Sequence, residues 1–380
     1  MRSSPMIRPT RVEIDLNAIA HNIELVRRKV GHQVKIMAVV KADGYGHGAA
    51  EVATVALQNG AECLGVAIPE EGIELRTSGI RAPILVLGLA PPNHARDVIK
   101  HDLSQTVSAM ELAAALSTEA QELGKAAKVH IKVDTGMSRI GVPPEDAVNF
   151  VERILQLKGI DVEGIFTHFS VSDSVADSKD KTFTESQIGK FKQVVARLAQ
   201  DGIQIPIKHA ANSGGVLHFP SSYFDMVRPG IMLYGLYYSR EVAVAENLQP
   251  AMSFKTAIIH LKTVPPEASI SYGRTFVTEK ESIIATLPVG YADGYNRLLS
   301  NKGEVLVKGR RAAVLGRVCM DMTMIDVSHV PDVEVGDEVV LFGKQGDAEI
   351  AMDEIADKTN TIINEVACSI GKRVPRVYLR

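Results

Sequence analysis

The sequence predicts an α/β plus β fold: an N-terminal TIM-like (β/α)8 barrel over residues 1–240 and a C-terminal mainly β domain over 241–380. Three observations carry this. Short apolar runs recur from Ile36 to Arg228, each followed by a helix-length stretch with helical apolar spacing. The helical pattern stops after Tyr237-Tyr238-Ser239. Beyond it, short strand-like runs alternate with turn pairs such as Pro265-Pro266, Asp293-Gly294 and Gly336-Asp337. Eight strand–helix units suit a barrel of about 250 residues. A doubly wound open sheet rarely needs eight units, and it would want a glycine-rich phosphate loop after the first strand.

Composition narrows the classes. The 380 residues are 46% hydrophobic and 23% charged with a net charge of −3, an ordinary globular balance. Basic residues are scattered, which argues against nucleic acid or an anionic membrane as a partner. Cys63, Cys319 and Cys368 lie far apart without metal-ligand spacing, so no metal site is expected, and an odd number of thiols fits a reducing cytoplasm. The start, MRSSPMIRPTR, lacks the apolar core of a leader, and no apolar run approaches the ~18 residues of a membrane span. A soluble, cytoplasmic protein is expected.

The elements follow in order. Asp15 caps a helix to Val30, with Leu16, Ile19, Ile23 and Val26 on one face. The first barrel strand, Ile36–Val40, is followed by a helix from Ala49 that Gly60 stops. Strands over Cys63–Ile68, Pro83–Leu89, Leu103–Val107 and Val129–Val133 alternate with helices over Pro69–Thr77, Pro91–His101 and Ala109–Leu123. Pro143 opens another helix, Val162–Phe166 is the sixth strand, and a long helix covers Phe183–Ala199. Ile205–Lys208 is the seventh strand, Val216–Phe219 a short apolar turn, and Met226–Arg228 begins the eighth. In the C-terminal domain, strands are expected over Ser253–Leu261, Ser282–Leu287, Glu304–Val307, Ala312–Val318, Thr323–Val327 and Glu338–Phe342, with helices near Met352–Lys358 and Thr361–Ser369.

In such a barrel the chemistry sits at the C-terminal ends of the strands. Lys41 ends the first strand in VVKADGYGHG, where partial desolvation lowers an ammonium pKa and readies the amine to attack a carbonyl as a Schiff base. Arg139, His168, His209 and Arg228 end later strands or open the loops after them. Asn212 and Ser213 start a helix after strand seven, and Gly230 and Ile231 follow strand eight; side-chain oxygens and backbone N–H groups there suit a phosphate. An imine-forming lysine, a barrel phosphate site and an arginine on the last strand together point to pyridoxal 5'-phosphate. Arg228 would donate to the pyridine nitrogen and keep the ring neutral, a weaker electron sink that favours returning a proton to Cα. His168 and His209 would orient it.

The segments VVKADGYGHG, IKVDTGMSRIG, THFS, HAANSGG, MVRPGIMLYG, SYGRTF, GYADGY and GRVCMDM, in this order, resemble bacterial alanine racemases over nearly the whole chain. The resemblance implies a homodimer with shared active sites, interconverting L- and D-alanine and supplying D-alanine for peptidoglycan. It makes Lys41 the cofactor-bearing lysine and one catalytic base, and Tyr272, from the partner subunit, the other. It places Arg228 at the pyridine nitrogen with His168 and His209 around it, and Tyr45, Ser213, Gly230 and Ile231 at the phosphate. Arg139 and the backbone N–H of Met320 would hold the substrate carboxylate, and Lys132 matches a lysine carbamylated in many members. Where some relatives carry a phosphate-contacting tyrosine, this chain has Lys372, a point charge in place of a ring. Alternatives are a broad-specificity or serine racemase, since shape alone discriminates one hydroxyl weakly. A PLP decarboxylase, which needs no second base, and a non-catalytic PLP carrier, which needs no β-domain, fit the chain less well.

Overall fold

A computed structural model describes residues 8–174, 176–238 and 240–380. Met1–Ile7, part of the stretch read for a leader, Val175, and Ser239 at the expected boundary lie outside the described residues. The chain forms two compact units: Ile19–Gly44 with Gly48–Leu233, and the residues through Ala18 with Tyr45–His47 and Tyr234–Arg380.

Strand β1 (Arg11–Asp15) buries alternate residues, Val12 and Ile14. Helix α1 (Leu16–Val30) starts on the Asp15 carboxylate, whose Oδ1 accepts from the N–H groups of Asn17 at 2.8 Å and Ala18 at 3.2 Å, as expected of a cap. Eight parallel strands among the described residues then close a barrel in chain order: β2 (Lys35–Val39), β3 (Cys63–Val66), β4 (Ile84–Val86), β5 (Ser104–Val107), β6 (Ala127–Lys132), β7 (Ile160–Phe166), β8 (Ile207–His209) and β9 (Met226–Val227). Closure is made by β9 against β2, Lys35 opposite Met226 and Ile36 opposite Val227. The strands read as apolar runs because a parallel barrel covers both their faces. The connecting helices are α2 (Lys41–Tyr45), α3 (Ala49–Gln58), α4 (Pro69–Thr77), α5 (Ala95–Lys100), α6 (Met110–Leu123), α7 (Ala147–Leu155), α8 (Ser178–Gln200) and α9 (Ser213–His218). Gly124 ends α6 at φ 61°, a backbone state that favours glycine. At the barrel floor, Met37, Cys63, Leu85 and Met226 pack into one cluster.

Several expectations in this unit shift: the long helix begins at Ser178, where Asp177 caps it, rather than at Phe183, and only Ala95–Lys100 of the stretch Pro91–His101 is α-helix. The helix expected to open at Pro143 begins at Ala147, because Val142 still donates its N–H to Lys132 O at 2.8 Å. Of the expected turn over Val216–Phe219, Val216 to His218 belong to helix α9 and Phe219 is its C-cap.

The second unit is mainly β. Its largest sheet runs β16 (Arg310–Ala313), β15 (Glu304–Val307), β18 (Glu338–Gln345), β10 (Met252–Ala257), β1, β20 (Arg376–Leu379), with β19 (Ala348–Ile350) on β18. Three strands, β11 (His260–Val264), β14 (Ser282–Leu287) and β17 (Thr323–Asp326), form a second sheet, and β12 (Ser269–Ile270) pairs β13 (Phe276–Val277). The single strand expected over Ser253–Leu261 is two, because the chain changes sheets between them: Ile258 N–H goes to Asp337 O and Ile259 N–H to Thr286 O, both at 3.0 Å. The strand expected over Ala312–Val318 stops at Ala313, ahead of Gly316 at φ 68°. Among the described residues no helix is long and apolar enough to cross a membrane.

Candidate active site

Strand β2 leads through Val40 to Lys41, and the chain then winds one turn the wrong way for L-residues. Ala42 (φ 52°, ψ 52°), Asp43 (53°, 47°) and Gly44 (60°, 45°) all adopt left-handed angles. Each non-glycine residue there costs about 1–2 kcal/mol. Hydrogen bonds hold the turn: Ala42 N–H to Glu71 Oε1 at 2.7 Å, Ala49 N–H to Asp43 Oδ1 at 2.9 Å, and Gly44 N–H to Val40 O at 2.9 Å. Strain held this way at a strand end marks a site where backbone placement matters. Ala42→Gly should therefore stabilise the protein by about 0.5–1 kcal/mol, the relief outweighing glycine's entropy; a urea midpoint at or below that of the parent would count against stored strain here.

The cations expected from sequence converge at the C-terminal end of the barrel. Lys132, buried at the end of β6, is pushed down to about 7, by burial first and then by Arg228, Arg139 and Lys41, while Asp134 acts the other way. His168 is held well below the ordinary histidine value by burial, then by Arg228, Lys132, Arg139 and Lys41. Both groups thus report the same four cations around one mouth. Lys132 sits 5.0 Å and Arg228 5.2 Å from the centre of the Phe166 ring, whose face offsets part of their lost hydration. A depressed lysine binds fewer protons folded than unfolded, so its penalty is complete below pH 7 and fades as pH rises towards 10.5. Lys132→Met should accordingly stabilise the protein at pH 7 and below, by at most about 5 kcal/mol, and hardly at pH 10. Denaturant melts across that window check the trend, and equal effects at both ends would refute it.

Arg228 is buried and heavily engaged. Its Nη2 donates to Thr167 O at 2.8 Å, Ala210 O at 2.9 Å and His168 Nδ1 at 3.2 Å, and Nη1 donates to His209 Nδ1 at 2.9 Å. Burial pulls the guanidinium down to about 9, which leaves it a cation at neutral pH. His209, also pushed well below its ordinary value by burial and then by Arg228, is a neutral acceptor. Its ring stacks on Phe166 at 4.7 Å and 5°.

Ser213, expected at the phosphate, is buried at the start of α9. Its Oγ accepts from Gly230 N–H at 3.0 Å and Met232 N–H at 3.4 Å, tying the loops after β8 and β9 together beside Ile231. Asn212 is committed to structure: its Oδ1 caps α9 through Gly215 N–H at 3.0 Å and accepts from Ser172 Oγ at 2.7 Å. Arg139 is exposed beside Ser138 at φ 56°.

Tyr45 and the remaining expected residues belong to the second unit. Tyr45 is buried, its ring 4.8 Å from that of Tyr234, and burial raises its phenol, Tyr238 and Cys368 adding to the effect. Tyr272 stands 72% exposed and Met320 53% exposed. Ser271, at φ 64°, fixes the Tyr272 turn by donating from Oγ to Arg317 O at 2.6 Å, and its Oγ lies 3.4 Å from Cys319 Sγ. The loop carrying Met320 is held by Tyr291 N–H to Cys319 O at 3.0 Å and Ala292 N–H to Met320 O at 3.1 Å. Lys372 is exposed, in a turn after the helix Ile363–Cys368 and just before Arg373.

Sequence reasoning missed three participants. Phe166 stacks with His209; Gln187 donates to Thr135 Oγ1 at 3.3 Å and His168 O at 3.2 Å; His130 meets His209, Nδ1 to Nε2, at 2.9 Å. The signal for the last was available: Lys128, His130 and Lys132 alternate with aliphatic residues along the strand, and so point the same way.

Comparisons with known proteins agree along the chain. The family model "Alanine racemase, N-terminal domain" matches residues 14–238, and "Alanine racemase, C-terminal domain" matches 251–378. An alanine racemase of Halothermothrix orenii is 52% identical, with 98% of this chain and 97% of the relative covered. "Alanine racemase 2" of Caldanaerobacter subterraneus is 50% identical, covering 98% and 95%. Among solved structures, the alanine racemase of Bacillus anthracis with bound L-Ala-P superposes with a TM-score of 0.93 at 37% identity, covering 99% of this chain and 96% of that one. That of Clostridium difficile gives 0.92 at 41%, covering 98% and 96%.

Proposed function

The chain belongs to the alanine racemase family, and from that premise we propose that it moves a proton on and off the Cα of alanine between two bases, Lys41 and Tyr272 of the partner subunit, with pyridoxal 5'-phosphate at the barrel mouth. The observation that carries this reading is the cluster Lys41, Lys132, Arg139 and Arg228, four basic side chains that all act on buried His168. Such a site suits a ligand pair bringing a phosphate and a carboxylate.

The residues fit the cofactor. Lys41 would bear it covalently, Ser213 and the backbone N–H groups of Gly230 and Ile231 would take its phosphate together with Tyr45, and Asn212 would hold that loop in shape. Arg228 would meet the ring nitrogen with a proton it does not surrender. When bound, pyridoxal phosphate supplies the electron-withdrawing ring that acidifies the substrate Cα–H.

Arg139 grips the substrate carboxylate, with the Met320 N–H of the partner subunit beside it, so the substrate stays still while its proton changes faces. Lysine and tyrosine titrate near ~10.4 and ~10 when free, so each works as a base only where cations draw its proton away. Arg228 and Arg139 have the sign to do so at Lys41. The exposed Tyr272 and Met320, on loops pinned to each other through Ser271, suit a surface that a second copy completes, which supports the homodimer reading. A near-neutral Lys132 can add CO2, forming an N–C bond and releasing a proton; the resulting carbamate anion would brace Arg139. D-alanine made in the cytoplasm would serve peptidoglycan.

A chiral assay in deuterium oxide tests the reading. L- and D-alanine should each yield the racemate with deuterium at Cα. Borohydride reduction followed by peptide mapping should mark Lys41. No interconversion of alanine, or faster turnover of serine, would sink the substrate assignment; a label elsewhere would sink the cofactor assignment.

A further inference from the structure

We propose that His130 and Glu163 are positioning residues for Arg228, the far half of a line that is hydrogen-bonded from Arg228 through His209 to His130, ends on the Glu163 carboxylate 3.7 Å away, crosses the barrel and dictates which nitrogen of His209 faces the guanidinium. A guanidinium has only N–H groups to offer. The 2.9 Å contact from Arg228 Nη1 therefore makes His209 Nδ1 an acceptor. A neutral imidazole with a lone pair on Nδ1 carries its proton on Nε2, and His209 Nε2 lies 2.9 Å from His130 Nδ1. His130 accepts there, so its own proton sits on Nε2, 3.7 Å from Glu163 Oε2. That carboxylate also accepts from Ser104 Oγ at 2.7 Å, and His130 and Ser104 hold it below the usual carboxylate value against the opposing effect of burial. Every donor in the line points the same way, and the carboxylate at its end has no proton to give.

The sequence is shaped around this line. A Cβ on Gly164 would lie 2.2 Å from His130 Nδ1 and 2.5 Å from its Cε1, so only glycine lets the imidazole lie against β7. His130 meets His209 edge-on, the rings 5.1 Å apart at 72°. The far end opens into a cavity of about 440 Å³ at the N-terminal ends of the strands, lined by His130, Glu163, Ser104, Cys63, Met37 and Met226 among others. That is the end of the barrel opposite the Lys41 mouth, so the pair touches no substrate and acts through Arg228. The inference rests on the racemase reading only for what Arg228 serves.

Protein labelled with 15N-histidine, without added substrate, gives the tautomer of each ring. The expected result is Nε2–H on both His209 and His130. In His130→Leu, the His209 Nε2 resonance should shift and kcat on alanine should fall about 10–100-fold, the range seen when the outer partner of a histidine at a metal centre is removed, with KM unchanged. His130→Gln, whose amide oxygen accepts from His209 Nε2–H, should regain most of the rate. Should His130→Leu fail to fold, Glu163→Leu decides, through a shifted His130 Nε2 resonance and a reduced kcat. An Nδ1–H tautomer on His209, or an unchanged kcat in the folded leucine variant, overturns the proposal. A parent protein that does not racemise alanine defeats the functional reading, while the tautomers still judge the line.

Discussion

Tyr272→Phe should silence one direction of proton abstraction and spare the other. The phenol is offered on an exposed, backbone-strained turn, Ser271 at φ 64° and Arg274 at φ 48°, and its loss removes an oxygen without disturbing the core. Removal of a positioned acid–base group costs about 10²–10⁴-fold. Net racemisation should fall by that factor from both enantiomers, since each turnover uses both bases. Deuterium exchange into the unconverted substrate separates them: the enantiomer whose Cα–H faces Lys41 should keep exchanging, and its mirror image should lose exchange. Equal loss from both would mean that one group serves both faces.

Arg228→Leu should be the most damaging change inside the barrel. It takes the donor from His209, His168 and two carbonyls at once, and it removes the charge that pushes both histidines down after burial. A fixed donor aimed at developing charge is worth about 10²–10³ in rate, so kcat should drop by that much. The histidine titrations give a second readout with a definite sign. In the parent both rings bind fewer protons folded than unfolded, so they contribute stability above the ordinary histidine value near 6.5 that is lost as pH falls below it. Without Arg228 both should titrate closer to 6.5 and the acid sensitivity should lessen. Rings that titrate as before would show that burial alone sets their state.

Much of this was legible from residues alone. Strands such as Ser282–Leu287 and Glu304–Val307, and the helix Pro69–Thr77, lie where the apolar spacing places them, because the pattern and the element share a local cause. Arg228 with His168 and His209 was legible too, since barrel topology sends strand ends to one mouth. Other features were hidden because their cause is distant. Strand β1 pairs with β10 and β20, and nothing within a window around Arg11 announces partners that far along the chain. The left-handed turn was hidden by its composition, Ala42 and Asp43 standing where glycine would signal positive φ. Asn212 had the right type for an anion site, and the same oxygen that suggested it is spent as a cap.

The pairing of β1 with β20 also has a consequence for biosynthesis. Arg11–Asp15 leaves the ribosome about 365 residues ahead of its parallel partner Arg376–Leu379. At ~5–20 residues per second the gap is about 20–70 s. Throughout that time the β20 side of Arg11–Asp15 is an unclaimed strand edge on a nascent polypeptide, a natural client for a holding chaperone, and loss of Arg376–Leu379 would leave it permanently unclaimed on that side.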